Sequence, residues 1–280
     1  MLSYRHSFHV GNHGDVLKHW SLVTMLEHLN QKEKPYWYID THSGAARYDL
    51  RSQQSRMHKE HEGGWLRLLQ QPALPESLAR YVDLELAEQS KEAPDYYLGS
   101  PAIAQAMMRP QDKLWLYELH PSDAKQLRRF SQGDPRIQVQ AEDGYQGLKS
   151  LLPPPTKRAL ILLDPSYEVK TEYHHVIKTL EDSLQRFAIG VYMIWYPLLN
   201  QIDNVNFRKR LAKFSQAKWL NLTLTVENQK TATGMYGSGV FIINPPWLTQ
   251  EAAPTVLPFL ADSLGKPNEG NYEITDSGDL

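Results

Sequence analysis

Short runs of apolar residues alternate with segments whose apolar positions recur at helical spacing through most of this 280-residue chain. Runs such as 36–41 and 158–163 have the length of strands that are buried on both faces. Segments such as 14–29 and 172–187 place apolar residues three and four positions apart, which indicates helices packed on one side. Alternation of the two kinds predicts right-handed βαβ units and a parallel sheet.

The pattern predicts five parallel strands followed by a pair of antiparallel strands. The predicted parallel strands are 36–41, 113–119, 136–141, 158–163 and 189–195. The last two predicted strands, 219–227 and 239–244, are joined through a glycine-containing segment and predict an antiparallel hairpin. This α/β arrangement is the plan of Rossmann-like, S-adenosylmethionine-dependent methyltransferases.

One segment interrupts the alternation. Residues 50–97 are richer in glutamine, histidine and charge, and they contain two predicted helices, 62–71 and 75–89. We interpret this segment as a small inserted helical subdomain within a Rossmann-like domain formed by 1–49 and 98–265. The remaining residues, 266–280, are polar and acidic, and we predict a flexible tail.

Composition narrows the possible classes of protein. The chain has no cysteine, which excludes disulfides and thiolate zinc sites, and its formal net charge of −2 argues against binding driven mainly by phosphate contacts. No apolar run has the length of a membrane helix. The histidines near the start match no structural zinc spacing. We therefore predict a cytoplasmic protein that binds no membrane and no metal, and we also expect a monomer.

The sequence Asp164-Pro165-Ser166-Tyr167 directly follows an apolar run and so ends a predicted strand, where open α/β sheets bind their ligands. It differs at one position from (Asp/Asn)-Pro-Pro-(Tyr/Phe/Trp), a pattern typical of enzymes that methylate an exocyclic amino group. A carboxylate and a backbone carbonyl can accept both amino hydrogens and localise the nitrogen lone pair. We predict that Asp164 and the Pro165 carbonyl make these contacts, and that Tyr167 stacks on the base.

A second proline sequence, Asn244-Pro245-Pro246-Trp247, fits the same pattern more closely. It follows the last predicted strand, at the far end of the hairpin. Asp164 instead follows the fourth parallel strand, which this topology places beside the first. Position therefore favours Asp164 as the catalytic residue and makes Asn244 a turn at a strand end.

Three acidic residues, Glu118, Asp143 and Asp164, each end one of three successive predicted strands. Glu118 can accept hydrogen bonds from both hydroxyls of a ribose, and Asp143 can accept one from the amino group of a cofactor's adenine. The first strand is followed by Gly44, a small residue where the chain must approach a ligand closely. Each acid alone is equally well explained as a solvated loop carboxylate, but their shared position predicts a binding site.

Together these residues resemble the RlmJ family of bacterial 23S ribosomal RNA (adenine-N6)-methyltransferases. The resemblance runs from residue 1 to about residue 260, and its most specific part lies near the start. The matching stretches are 3–9, 11–19, 40–44, 99–101, 118–121, 142–144, 164–167, 195–197, 237–239 and 244–247.

The resemblance implies S-adenosyl-L-methionine as the cofactor, 23S ribosomal RNA as the partner, and roles for particular residues. The residues that would contact the cofactor are His19, His42, Gly44, Ser100, Glu118, Asp143, Gly144 and Asp164. Those on the RNA side would be Tyr4, His6 and Lys18. Two positions depart from the family: Ser166 replaces a proline, and Ala46 replaces a glycine and could crowd the cofactor.

Two other functions compete with this prediction. A DNA adenine-N6 methyltransferase would use the same chemistry, although the chain has no obvious separate domain for recognising a DNA target. A non-catalytic protein that binds nucleic acid or the cofactor would be consistent with the two altered positions. Cofactor binding without methyl transfer to any RNA or DNA would favour this second alternative.

Overall fold

The computed structural model describes residues 6–92 and 95–278. The strands are β1 (Trp37–Asp40), β2 (Arg47–Asp49), β3 (Tyr96–Leu98), β4 (Lys113–Tyr117), β5 (Ile137–Gln140), β6 (Ala159–Leu163), β7 (Val191–Leu198), β8 (Trp219–Thr225), β9 (Gly237–Ile243) and β10 (Asn271–Asp276). The helices are η1 (His6–Phe8, a 3-10 turn), α1 (His13–Asn30), α2 (Gln53–His58), α3 (Glu60–Gly63), α4 (Trp65–Leu69), α5 (Glu76–Glu92), α6 (Ser100–Met107), α7 (Pro121–Phe130), α8 (Gly144–Leu151), α9 (Thr171–Arg186), α10 (Ile202–Ala212) and α11 (Trp247–Leu264).

The central sheet has eight strands in the order β10-β8-β9-β7-β6-β1-β4-β5. The strands from β5 to β7 in this order are parallel, which confirms the five predicted parallel strands. Strand β9 lies antiparallel between β7 and β8, which confirms the closing hairpin. After β1 the chain adds β4 and β5 on one side of this strand and then crosses to β6 on its other side, so a crevice opens at the carboxyl ends of these strands.

The hydrophobic core lies on both faces of the sheet, because successive side chains of a strand point to opposite faces. All five residues of β6 are buried. Leu160 and Leu162 belong to the cluster that contains the apolar residues of α1, whereas Ile161 and Leu163 belong to the cluster that contains those of α9. Each buried leucine or isoleucine stabilises the fold by about 2 kcal/mol. The strands that carry the site are therefore firmly anchored.

Helix α1 is buried on nearly every side, although it carries charged residues. Asn12 caps its start, because the Asn12 side chain accepts a hydrogen bond from the backbone N–H of Asp15. Asp15, Lys18 and His19 are all buried in the next turns. Charged groups in such surroundings require partners. The helix thus brings a polar cluster into the protein interior.

Four helices, α2 to α5, lie between β2 and β3, which pair with each other. The predicted helix 62–71 is divided at Gly64 into α3 and α4. A Cβ atom at Gly64 would lie 2.2 Å from the carbonyl oxygen of Gly11, so this segment packs closely on the start of the chain. The treatment of 50–97 as an inserted unit stays a prediction.

The prediction of a flexible tail from residue 266 is wrong for 271–276. These residues form β10, which pairs antiparallel with β8, and Ile274 is opposite Leu222. The strand was missed because only two of its residues, Tyr272 and Ile274, are apolar, and the polar composition of the segment suggested a tail. The preceding helix, α11, was also missed, since it contains Pro254 and Pro258. No helix in the described ranges combines the length and apolarity needed to cross a membrane.

Candidate active site

The loops after β1, β4 and β6 meet at one edge of the sheet, because Asp40 is in register with Leu116 on one side and Leu162 on the other. A cavity opens at this edge. The predicted residues that line it are His6, Lys18, His19, His42, Gly44, Ser100, Glu118, Asp143, Gly144 and Asp164. The structure therefore brings these ten side chains or backbones together. Tyr4 lies outside the described residues.

The loop after β1 follows the cavity wall. Gly44 has a φ of +62°, and a Cβ atom there would lie 2.1 Å from the hydroxyl of Tyr48, so this position requires glycine. Ala46 also has a positive φ, 67°, which places an alanine in the left-handed region at a cost of about 1 kcal/mol. Ala46 is buried outside the cavity lining. Its departure from glycine therefore strains the loop and does not crowd the cavity.

Backbone N–H groups orient Glu118 and Asp143. Glu118 accepts hydrogen bonds from the N–H of Gly44 at 2.8 Å and of His120 at 2.7 Å. Burial raises the pKa of Glu118, and these two hydrogen bonds oppose that rise. Asp143 caps α8 by accepting from the N–H of Tyr145 at 2.8 Å. Both carboxylates keep fixed positions from which further hydrogen bonds can be accepted.

The close approach of two loops closes one side of the cavity. A Cβ atom at Gly144 would lie 2.1 Å from the carbonyl oxygen of Thr41, so no other residue fits between these backbones. His42 lies in the same loop as Thr41, and burial lowers its pKa to about 3. His42 is therefore neutral at physiological pH. Its ring contacts that of Tyr145, with 4.8 Å between centroids.

Sequence analysis missed Asp40, the fully buried carboxylate at the end of β1. Ser100 Oγ donates to it at 2.6 Å, the Tyr38 hydroxyl at 2.9 Å and the backbone N–H of His42 at 3.2 Å. Burial raises the pKa of Asp40 to about 6. Asp40 thus ties α6 and the first loop together beneath the cavity. An acid at the end of the first predicted strand was the available signal.

Asp164 lies at the centre of a charged network. The Lys18 Nζ atom is 2.7 Å from Asp164 Oδ2 and 2.9 Å from Asp15 Oδ1. Burial alone would lower the pKa of Lys18, but Asp15 and Asp164 raise it above its ordinary value. Lys18 is therefore a permanent ammonium. Burial raises the pKa of Asp164, and the Lys18 charge opposes this rise.

A second cavity adjoins the first. Both are lined by His6, Lys18, Asp164 and Ser166, so these residues separate two spaces. Only 13% of the Asp164 side chain is exposed. A carboxylate between two spaces can face a methyl donor on one side and an acceptor on the other.

The aromatic residue of the proline turn is largely covered. Tyr167 is 5% exposed and has a φ of 55°. Its ring stacks on Tyr173 at 4.9 Å, and its hydroxyl donates to the Trp195 carbonyl at 2.8 Å. Stacking of Tyr167 on a base stays a prediction. Trp195, which sequence analysis gave no role, also lines the second cavity, and its ring centroid is 5.8 Å from Lys18 Nζ.

The competing proline sequence lies at the opposite edge of the sheet. Ile243, the end of β9, pairs with Tyr192 at the start of β7, because β9 runs antiparallel. Asn244 therefore lies beyond the amino ends of the parallel strands. Its Nδ2 atom donates to the carbonyls of Ala188 and Gly190 at 2.8 and 2.7 Å. These contacts agree with the prediction of a turn.

The N-terminal histidines take separate partners. His6 donates to Asp15 at 2.9 Å, and His9 contacts Glu60 at 2.8 Å. Among the residues that the structure describes, no group of three or more histidine and acidic side chains could hold a metal ion. The prediction that the protein binds no metal stays a prediction.

Comparison with known proteins gives consistent matches along the chain. The family model described as ribosomal RNA large subunit methyltransferase D, RlmJ, matches residues 33–275. Two proteins named ribosomal RNA large subunit methyltransferase J are similar: one from Haemophilus influenzae is 42% identical over 276 residues, and one from Escherichia coli K12 is 41% identical over 275, each match covering 98% of both chains. A crystal structure from Legionella pneumophila has a TM-score of 0.87 and 34% identity, covering 95% of this chain and 98% of that one.

Proposed function

Because the chain belongs to the RlmJ family, we propose that it transfers a methyl group from S-adenosyl-L-methionine to the N6 amino group of an adenosine in 23S ribosomal RNA. The observation that carries this proposal is the position of Asp164, which is shared by two adjoining cavities. We further propose that the protein acts as a cytoplasmic monomer without a metal ion.

The residues of the first cavity fit the proposed cofactor. Glu118 is oriented to accept from ribose hydroxyls, and Asp143 can accept from an adenine amino group. The close backbone approaches at Gly44 and Gly144 leave space that a side chain would fill. Neutral His42 adds no positive charge beside a cationic ligand. When bound there, S-adenosyl-L-methionine supplies an electrophilic methyl group on a sulfonium that leaves as a neutral thioether.

The protein's contribution to the reaction is to localise the amino lone pair. Asp164 and the carbonyl of Pro165 accept the two amino hydrogens, which turns the lone pair away from the ring and towards the methyl group. The proton lost from nitrogen passes to Asp164 or to water. Burial raises the pKa of Asp164, so its carboxylate is a better proton acceptor than an exposed aspartate. Lys18 stays charged and cannot act as the base.

The second cavity is where the target base would lie. Trp195 gives it an aromatic wall beside Asp164, and a base outside its stack can lie against such a ring. Tyr167 supports this wall through its hydrogen bond to the Trp195 carbonyl. Tyr4, His6 and Lys18 would contact the RNA around the base, as the family resemblance implies.

A methyl-transfer assay tests this proposal. The purified protein is incubated with radiolabelled S-adenosyl-L-methionine and either unmodified 23S ribosomal RNA or double-stranded DNA, and methyladenosine is located by mass spectrometry. We expect N6-methyladenosine at one site in the RNA and none in the DNA. Cells that lack the protein should lose the same modification.

Two results would contradict the proposal. Methyl transfer to DNA alone would make the protein a DNA adenine methyltransferase. Cofactor binding in calorimetry, with no transfer to 23S ribosomal RNA as naked RNA or as an assembly particle, would favour a non-catalytic binding protein.

A further inference from the structure

Asp15 carries a buried carboxylate to which the proposed chemistry gives no role. Its side chain is only 2% exposed. One carboxylate oxygen, Oδ2, accepts from the backbone N–H of Gly11 at 2.8 Å and from His6 Nε2 at 2.9 Å. The other oxygen, Oδ1, is 2.9 Å from Lys18 Nζ. Burial of a charge is costly, so its partners decide its effect.

The Lys18 ammonium is shared by two carboxylates. It is 5% exposed and lies 2.9 Å from Asp15 and 2.7 Å from Asp164. The cluster of Asp15, Lys18 and Asp164 therefore has two negative charges for one positive charge. Lys18 contacts Asp164 through the Oδ2 atom. Within the described residues, no hydrogen bond reaches the other carboxylate oxygen, Oδ1.

We infer that Asp15 is a positioning residue that divides the charge of Lys18, so that Asp164 keeps a carboxylate oxygen able to accept the amino hydrogens of the substrate. This inference rests on the proposed function. An ammonium with one carboxylate partner would give that partner its full charge and more of its N–H groups. Asp164 alone with Lys18 would then be a weaker acceptor. Asp15 prevents this by holding Lys18 from the opposite side.

The same contacts connect the N-terminal segment to the reaction centre. His6 on η1 donates to the oxygen of Asp15 that Lys18 does not contact. Asp15 therefore fixes two of the three residues assigned to the RNA side of the site. Asp15 also lines the second cavity, but its two oxygens already contact Gly11, His6 and Lys18, so its removal should act on the site through these partners.

A stability measurement tests the division of charge independently of activity. Thermal unfolding is compared for Asp15→Asn, Asp164→Asn and the double variant. Each single change leaves Lys18 one carboxylate, whereas the double change leaves a buried ammonium with neither. We expect the double variant to lose more in Tm than the sum of the single losses, and Lys18→Met to restore part of that loss. Additive losses would overturn the inference.

A kinetic measurement tests the consequence for the reaction. Asp15→Asn should lower kcat about tenfold or more, with the affinity for S-adenosyl-L-methionine within about threefold of wild type. Since Asp15 acts through Lys18, the Asp15→Asn/Lys18→Met variant should be no slower than Lys18→Met alone, within about threefold. A wild-type kcat for Asp15→Asn, or losses that multiply in the double variant, would overturn the inference.

Two variants keep these results interpretable. Asp112→Asn is the matched control, because Asp112 is buried and paired with Arg109 but lies directly before β4, at the end of that strand away from the site. It should lower Tm without changing kcat for folded protein. If Asp15→Asn does not fold, Asp15→Ser replaces it, since a serine hydroxyl can still accept from Gly11. If wild type transfers no methyl group to RNA, the proposed function fails while the unfolding measurement still decides the inference.

Discussion

The two proline turns of this chain have nearly the same sequence pattern and opposite environments. Each follows a buried strand and contains a residue at positive φ, Tyr167 in one and Asn244 in the other. In the turn after β6, Asp164 has one oxygen on Lys18 and another that no described residue contacts through a hydrogen bond. In the turn after β9, the Asn244 amide is already bound to two backbone carbonyls.

The difference comes from strand direction. Strand β6 runs parallel to its neighbours and delivers Asp164 to the edge where the cavities open. Strand β9 runs antiparallel and delivers Asn244 to the other edge. The turn that matches the pattern less closely therefore lies at the edge with the cavities, and the closer match is bound to backbone carbonyls at the other edge. Position in the sheet decides which pattern can bind a ligand.

The largest expected effect is a difference in kcat between variants of the two turns. Asp164→Ala should reduce kcat about 10³-fold, because the amino group loses the acceptor that localises its lone pair. Part of the affinity for S-adenosyl-L-methionine should remain in calorimetry. Asn244→Ala should keep the wild-type kcat when rates are divided by the folded fraction. Unchanged turnover in Asp164→Ala would remove the catalytic assignment.

The pH dependence of kcat sharpens the comparison, since Asn244 does not titrate. Burial raises the pKa of Asp164, so protonation begins at a higher pH than in an exposed aspartate. We expect kcat at saturating cofactor to fall about tenfold per pH unit below that pKa, because a protonated carboxyl is a poorer acceptor. Lys18→Met removes a charge that lowers this pKa, so the acidic limb of the pH profile, where kcat falls, should move to higher pH.

Asp40 titrates in a similar range, because burial raises its pKa to about 6. Asp164 is one of the charges that raise the pKa of Asp40, so a decline of kcat at acidic pH that moves in Lys18→Met belongs to this coupled pair of carboxyls. The Asn244→Ala variant should keep the wild-type profile. A limb that stays in place in Lys18→Met would exclude Asp164 as its source.

A smaller effect is expected on the stability of the turn that contains Asn244. Asn244→Ala should lower the free energy of unfolding by about 2–3 kcal/mol, since it removes two hydrogen bonds and leaves an alanine at positive φ. Asn244→Gly should lose less, because glycine accepts this φ without strain. Urea unfolding measures both. Equal stability of Asn244→Ala and wild type would show that these contacts do not hold the turn.

The smallest expected effect concerns the residue that makes the first turn an imperfect match. With the residues that the structure describes, Ser166 makes only long hydrogen bonds, 3.4 Å to Glu172 and 3.5 Å from the N–H of Glu168. Ser166→Pro should therefore change kcat by less than about threefold and leave stability nearly unchanged. Steady-state kinetics with both proteins measures the difference. A large gain in rate would show that the serine limits the present turn.

The succession of strands and helices followed from the sequence, because apolar runs and their spacing carry that information, and the Rossmann-like plan then placed Glu118, Asp143 and Asp164 at one edge. The contact between Lys18 and Asp164 did not, since the two residues are 146 positions apart and meet only through packing of α1. Likewise, the covering of Tyr167 depends on a left-handed backbone and on core rings from other elements, which periodicity does not report.

Strand β10 has a practical consequence for handling the protein. It hydrogen-bonds along the whole outer side of β8, which would otherwise be an edge with unpaired N–H and C=O groups. Exposed edges of this kind recruit strands from other molecules and lead to aggregation. Truncations or fusions should therefore leave 271–276 intact, because the polar and acidic β10 would otherwise be replaced at the edge of the sheet by the more apolar β8.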